Sequence, residues 1–68
     1  MMIRICLNGE SREIPKSLNL EQLLKQLNLN PRQVAVAKNW EVVVHSEMSG
    51  TLMSEGDEIE IFHAVGGG

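Results

Sequence analysis

The chain has 68 residues, 43% of them hydrophobic, with six Lys and Arg against nine Asp and Glu for a formal net charge of −3 at pH 7. So short a chain holds one hydrophobic core, leaves little depth for an enclosed active site, and carries the wrong sign of charge for an electrostatic nucleic-acid binder. Its single cysteine, Cys6, excludes an intramolecular disulfide, and the opening MMIRICLNGE turns polar too soon for a signal peptide or membrane span, so a cytoplasmic protein with no membrane partner is expected.

Ile3, Ile5 and Leu7 alternate with Met2, Arg4 and Cys6, the period-two pattern of a half-buried strand. Asn8-Gly9 suits the positive φ angles of a tight hairpin, which makes SREIP a second, antiparallel strand ending at Pro15. In LNLEQLLKQLNLN the residues Leu20, Leu23, Leu24 and Leu27 fall on one helical face. Asn19 is placed to cap that helix with Gln22 in the capping-box position, Leu18 to staple onto Leu23, and Asn28, Asn30 and Pro31 to end it.

QVAVAK then predicts a third strand with Val34 and Val36 inward and only Ala35 and Ala37 on its other side, a pattern that suits a central strand. A short fourth strand is expected around Val42 to Val44, with Trp40 in the hairpin before it. The stretch SEMSGTLMSEGDE reads as polar loop, with Gly50, Gly56 and Asp57 as turn residues. Alternation returns at Glu58: Ile59, Ile61 and His63 share one side, Glu58, Glu60 and Phe62 the other, and the last strand is expected to run to about Val65. The order strand, strand, helix, strand, strand, strand is α+β, one main helix covering one face of a mixed sheet of four to five strands. The domain spans 1–65, and 66–68 form a glycine tail in which glycine contributes nothing to packing and has the most backbone freedom to lose.

That element order, together with NGE after the first strand, LLKQL in the helix, VAVAKN, EGDEIEIF and the final AVGGG, resembles the ubiquitin-like β-grasp sulfur carriers, and in particular those of thiamine biosynthesis. The resemblance spans the whole chain, and the diglycine after a strand is its most specific part. It implies that the carboxylate of Gly68 is adenylated with ATP by a ubiquitin-activating-type adenylyltransferase and then becomes a thiocarboxylate. It further implies a sulfur donor protein and a thiazole synthase as partners, sulfur passing to the thiazole of thiamine. The chemistry is consistent: the carboxylate is ionised at neutral pH, resists nucleophiles until it acquires a good leaving group, and sits on Gly66, Gly67 and Gly68, which lack the Cβ that would obstruct a narrow channel. No GxxxxGK phosphate loop is present, so ATP belongs to the partner and the chain is expected to be a co-substrate with no bound cofactor and no catalytic residue of its own.

Phe62, beside Glu58 and Glu60 and ahead of Val65, has two readings: an exposed anchor for the partner, or a side chain packed under a loop. Glu58 and Glu60 either meet a basic partner or are simply solvated. Cys6 reads as structural, since nothing near it in sequence marks a reactive thiol. Cys6, His45 and His63 lack zinc-site spacing, so no metal is expected. Molybdopterin-type carriers and ubiquitin-like modifiers share the tail chemistry; the absence of a proline near the terminal glycines favours thiamine. A plain interaction module whose glycines are a flexible remainder stands as the reading from another class.

Overall fold

The computed structural model describes residues 1–63; Ala64 to Gly68, and with them Val65 and the three tail glycines, lie outside the described residues. Seven elements follow one another: β1 (Met2–Leu7), β2 (Glu10–Pro15), α1 (Leu20–Gln26), β3 (Val34–Lys38), β4 (Glu41–Val43), α2 (His45–Met48) and β5 (Glu58–His63). The five strands form one mixed sheet in the order β2-β1-β5-β3-β4, with β5 parallel to β1 and antiparallel to β3. One main helix lies on one face of this sheet, the α+β arrangement that the element order implied and the β-grasp that the family resemblance implied.

Local chemistry accounts for most of the elements. Asn8 and Gly9 have φ of 49° and 85°, and Leu7 pairs with Glu10, so the first hairpin closes through a two-residue turn of the mirror-image type whose twist suits the strands. The capping box at α1 is formed on both sides: the Gln22 N–H donates to Asn19 Oδ1 at 2.7 Å, and the Asn19 N–H donates to Gln22 Oε1 at 3.0 Å. At the other end Asn28 takes φ 61°, its N–H donates to the Lys25 carbonyl and the Leu29 N–H donates to the Leu24 carbonyl. That is a Schellman stop with asparagine in the left-handed position, and Leu29 packs back on the core as such motifs require.

The core consists of Ile3, Ile5, Ile14, Leu20, Leu23, Leu24, Val34, Val36, Met48, Met53, Ile59 and Ile61, with Leu7, Leu18, Leu27, Leu29 and Val43 packed at its margin. Burying an aliphatic side chain of this size contributes roughly 1.5–3 kcal/mol, so the Leu20, Leu23, Leu24 face is what holds α1 to the sheet. The segment after β4 departs from the expected polar loop. It contains α2, and it buries Met48, Met53 and Asp57. A four-residue helix has no stability of its own. It is held in place by Met48, which is buried in the core, and isolated methionines in a polar run carry no periodic signal.

β5 is the central strand, with β3 between it and the edge strand β4. Ile59 and Ile61 face the core as their alternation predicted, while His63, on the same side, lies past the core's edge and is exposed.

Candidate functional site

The central strand ends among the described residues at His63, so the surface around Phe62 is the described part of the domain nearest in sequence to the expected tail. Register defines this surface. Phe62 pairs with Ala35 and Glu60 with Ala37 across β5 and β3, and Ala37 pairs with Val42 across β3 and β4. All these side chains stand on the face opposite α1. Phe62 is 54% exposed and Val42 71% exposed, Ala35 is exposed beside Phe62, and Ala37 is buried between them, so the apolar side chains follow a shallow diagonal strip over three strands. The strip spans roughly 10 Å at the usual strand spacing of about 4.8 Å.

Phe62 is exposed, and among the described residues no loop packs over it. Glu58 and Glu60 are half-buried on the same face, and no Lys or Arg among the described residues forms an ion pair with either. The apolar strip is therefore bordered by two carboxylates whose charge is not neutralised within the described part of the domain. Val65, Gly66, Gly67 and Gly68, the remaining expected site residues, lie outside the described residues.

Sequence reading missed Ala35, Ala37 and Val42 as part of this surface. Small residues on one side of a predicted strand were the available signal, since they let larger side chains of the neighbouring strands define that face. Trp40 also stands out. It is 75% exposed at the tip of the β3-β4 hairpin, and it holds φ 70° where glycine is the usual residue.

The half of the outer face over β1 and β2 differs in character. Arg4 lies 3.5 Å from Glu13 in an exposed pair, a contact of small energetic weight. The Arg4 N–H donates to Glu55 Oε1 at 2.9 Å, and Cys6 sits half-buried across from Glu58. An open depression of about 400 Å³ here includes Cys6 and Ser11, yet among the described residues neither side chain is hydrogen-bonded to a base that would activate it. A second depression of about 390 Å³ beside β4 is lined by Lys38, Glu41 and Glu47 and contains no nucleophile-base pair. Among the described residues no group of three or more His, Cys, Asp or Glu is arranged to hold a metal, and no helix is long and apolar enough to cross a membrane.

Comparison with known proteins gives a consistent picture. A family model described as the ThiS family matches residues 5–68. A thiazole synthase of Paramagnetospirillum magneticum is 36% identical over 66 residues, which is 97% of this chain but 20% of that protein. An uncharacterized protein, ycf40, of Pyropia yezoensis is 33% identical over 66 residues, covering 97% of this chain and 93% of the relative. Among solved structures, the crystal structure of the thiamine biosynthesis protein (ThiS) of Geobacter metallireducens superposes with a TM-score of 0.84 at 29% identity, over 97% of this chain and 100% of that one. The chain thus spans one fifth of the length of the thiazole synthase it matches and nearly the whole of the two small relatives.

Proposed function

The chain belongs to the ThiS family, and on that premise we propose that it carries sulfur for the thiazole of thiamine on the carboxyl group of Gly68. In the first step a carboxylate oxygen of Gly68 attacks the α-phosphorus of ATP on an adenylyltransferase, and pyrophosphate leaves. In the second, sulfur at the hydrosulfide level from a sulfur donor adds to the acyl carbon, AMP leaves, and a thiocarboxylate remains. That thiocarboxylate is the form from which a thiazole synthase takes sulfur. The chain itself supplies no catalytic group to these steps; its part is to present the carboxylate.

The observation that carries this reading is the family match, which extends through the glycines to residue 68. The sheet is compatible with it, because the described part of the central strand β5 reaches His63, three residues before Gly66. The occurrence of a similar region within a thiazole synthase supports such an enzyme as the acceptor. Phe62, with Ala35, Ala37 and Val42, forms the apolar anchor for the adenylyltransferase, and Glu58 and Glu60 meet basic groups around it. Docking by the body is needed because ordering Gly66, Gly67 and Gly68 costs roughly 3–6 kcal/mol at about 1–2 kcal/mol per residue, more than a three-residue tail recovers alone.

The test is intact mass after incubation with lysate of the source organism, ATP and a sulfur source, beside a form lacking Gly68. The expected result is replacement of one oxygen by one sulfur, dependent on ATP and on Gly68. An unchanged mass in a lysate that thiolates a known carrier would refute the proposal.

A further inference from the structure

Building on the carrier reading, we infer that Asn8 is a positioning residue for the tail, acting through Ile61. β1 pairs with β5 only through Cys6↔Glu58 and Leu7↔Ile59, and the main chain then turns away at Asn8 and Gly9. β5, however, continues to His63. On its β3 side those last residues stay paired as far as Val34↔His63. On its β1 side, among the described residues, they have no strand beside them.

Within a strand, alternate residues turn their backbone groups to opposite neighbours. The Asn39 N–H donates to the Glu58 carbonyl, so Glu58, Glu60 and Phe62 address β3 and its hairpin. Ile59, Ile61 and His63 therefore address the side that β1 has left. The Asn8 N–H donates to the Ile59 carbonyl at 2.9 Å, the last main-chain bond on that side. The Asn8 side chain then supplies the next one. Its Oδ1 accepts the Ile61 N–H at 2.7 Å, and its Nδ2 donates to the Ile61 carbonyl at 3.4 Å. A side-chain amide offers the same donor and acceptor as a peptide group, so Asn8 prolongs the parallel ladder after the backbone has gone.

The turn alone does not demand this. At φ 49° glycine or aspartate would close the hairpin. Neither would grip Ile61, 53 residues away, from both N–H and carbonyl. Ile61 is thereby the last residue of β5 held from the β1 side, and Phe62, the apolar anchor, is the next residue. Asn8 thus holds Ile61 on the β1 side while β3 pairs with Phe62 and His63 on the other, fixing the end of β5 from which the chain continues.

The experiment pairs amide hydrogen exchange with ATP–pyrophosphate exchange by the source organism's adenylyltransferase, run against increasing concentrations of the full chain. Asn8→Gly keeps the turn and removes the amide. Asn8→Asp keeps the acceptor for the Ile61 N–H. Asn39→Gly loses side-chain bonds at the opposite end of β5 and controls for stability. The expected result for Asn8→Gly is exchange at Ile61 faster by about tenfold while α1 amides are unchanged, with KM for the chain raised roughly tenfold and kcat within about twofold. Asn8→Asp should restore KM to within about threefold, and Asn39→Gly should leave it unchanged. Unaltered exchange at Ile61, an unaltered KM despite faster exchange, or an equal rise in KM for Asn39→Gly would each overturn the inference. Wild-type chain that supports no pyrophosphate exchange would overturn the carrier reading instead, and hydrogen exchange at Ile61 reports on the clamp independently of it.

Discussion

Asn39 and Glu58 are joined twice: the Asn39 N–H donates to the Glu58 carbonyl at 2.7 Å, and the Glu58 N–H donates to Asn39 Oδ1 at 2.9 Å. An asparagine in a hairpin turn thus fastens the start of the central strand, as Asn8 fastens its end. The same Asn39 side chain donates from Nδ2 to Asp57 Oδ1 at 3.0 Å. Around this junction the hairpin tip, the loop after α2 and the central strand are tied together by polar groups rather than by apolar burial.

Asp57 should be the most sensitive polar position. Its carboxylate is buried, accepts the Ser54 N–H at 2.7 Å and the Asn39 amide, and lies 3.7 Å from Lys38 Nζ. Asp57→Ala leaves those donors without an acceptor, and a loss of roughly 2–3 kcal/mol in urea unfolding is expected. A loss below about 0.5 kcal/mol would show that water replaces the carboxylate.

Trp40 should gain stability when made smaller. A bulky residue at φ 70° is strained by roughly 1–2 kcal/mol, and its side chain is 75% exposed, so little packing offsets the strain. Trp40→Gly gives the Asn-Gly turn that such hairpins favour. After the larger unfolded-state entropy of glycine is subtracted, a gain of about 0.5–1 kcal/mol in thermal or urea unfolding is expected. A loss would mean that Trp40 makes a stabilising contact the strain argument ignores.

The core should fail at Ile59. The residue is fully buried on the central strand, against neighbours from both halves of the sheet and α1. Ile59→Ala should cost roughly 2–5 kcal/mol by lost transfer energy and the cavity left behind. In a domain this small that is a large part of the total stability, and circular dichroism at 37 °C should show substantial unfolding.

Phe62 should behave in the opposite way. Phe62→Glu is placed on an exposed strip and should change unfolding free energy by no more than about 0.5–1 kcal/mol. Under the proposed docking it should lower the efficiency of ATP–pyrophosphate exchange by tenfold or more, about 1.4 kcal/mol of binding, chiefly through KM. Equal efficiency for the two forms would remove Phe62 from the interface.

Much of this was legible in the sequence because it is local. Alternation placed Ile3, Ile5, Ile59 and Ile61 on inward faces, Asn8-Gly9 announced the first hairpin, and Asn19 with Gln22 announced the start of α1; each is a relation among residues a few positions apart. The side of β5 that Phe62 takes followed from the same period of two. Only the tertiary structure decided that β5 lies between β1 and β3, since pairing partners are chosen by burial of the whole sheet and leave no mark on local pattern. That choice brings Ala35, Ala37 and Val42 alongside Phe62, draws Met48 and Met53 into the core, buries Asp57 against Asn39 and Lys38 of the β3-β4 hairpin, and sets the amide of Asn8 against Ile61. Every one of these depends on long-range contacts, whose cost in chain entropy is recovered only when the entire core closes at once.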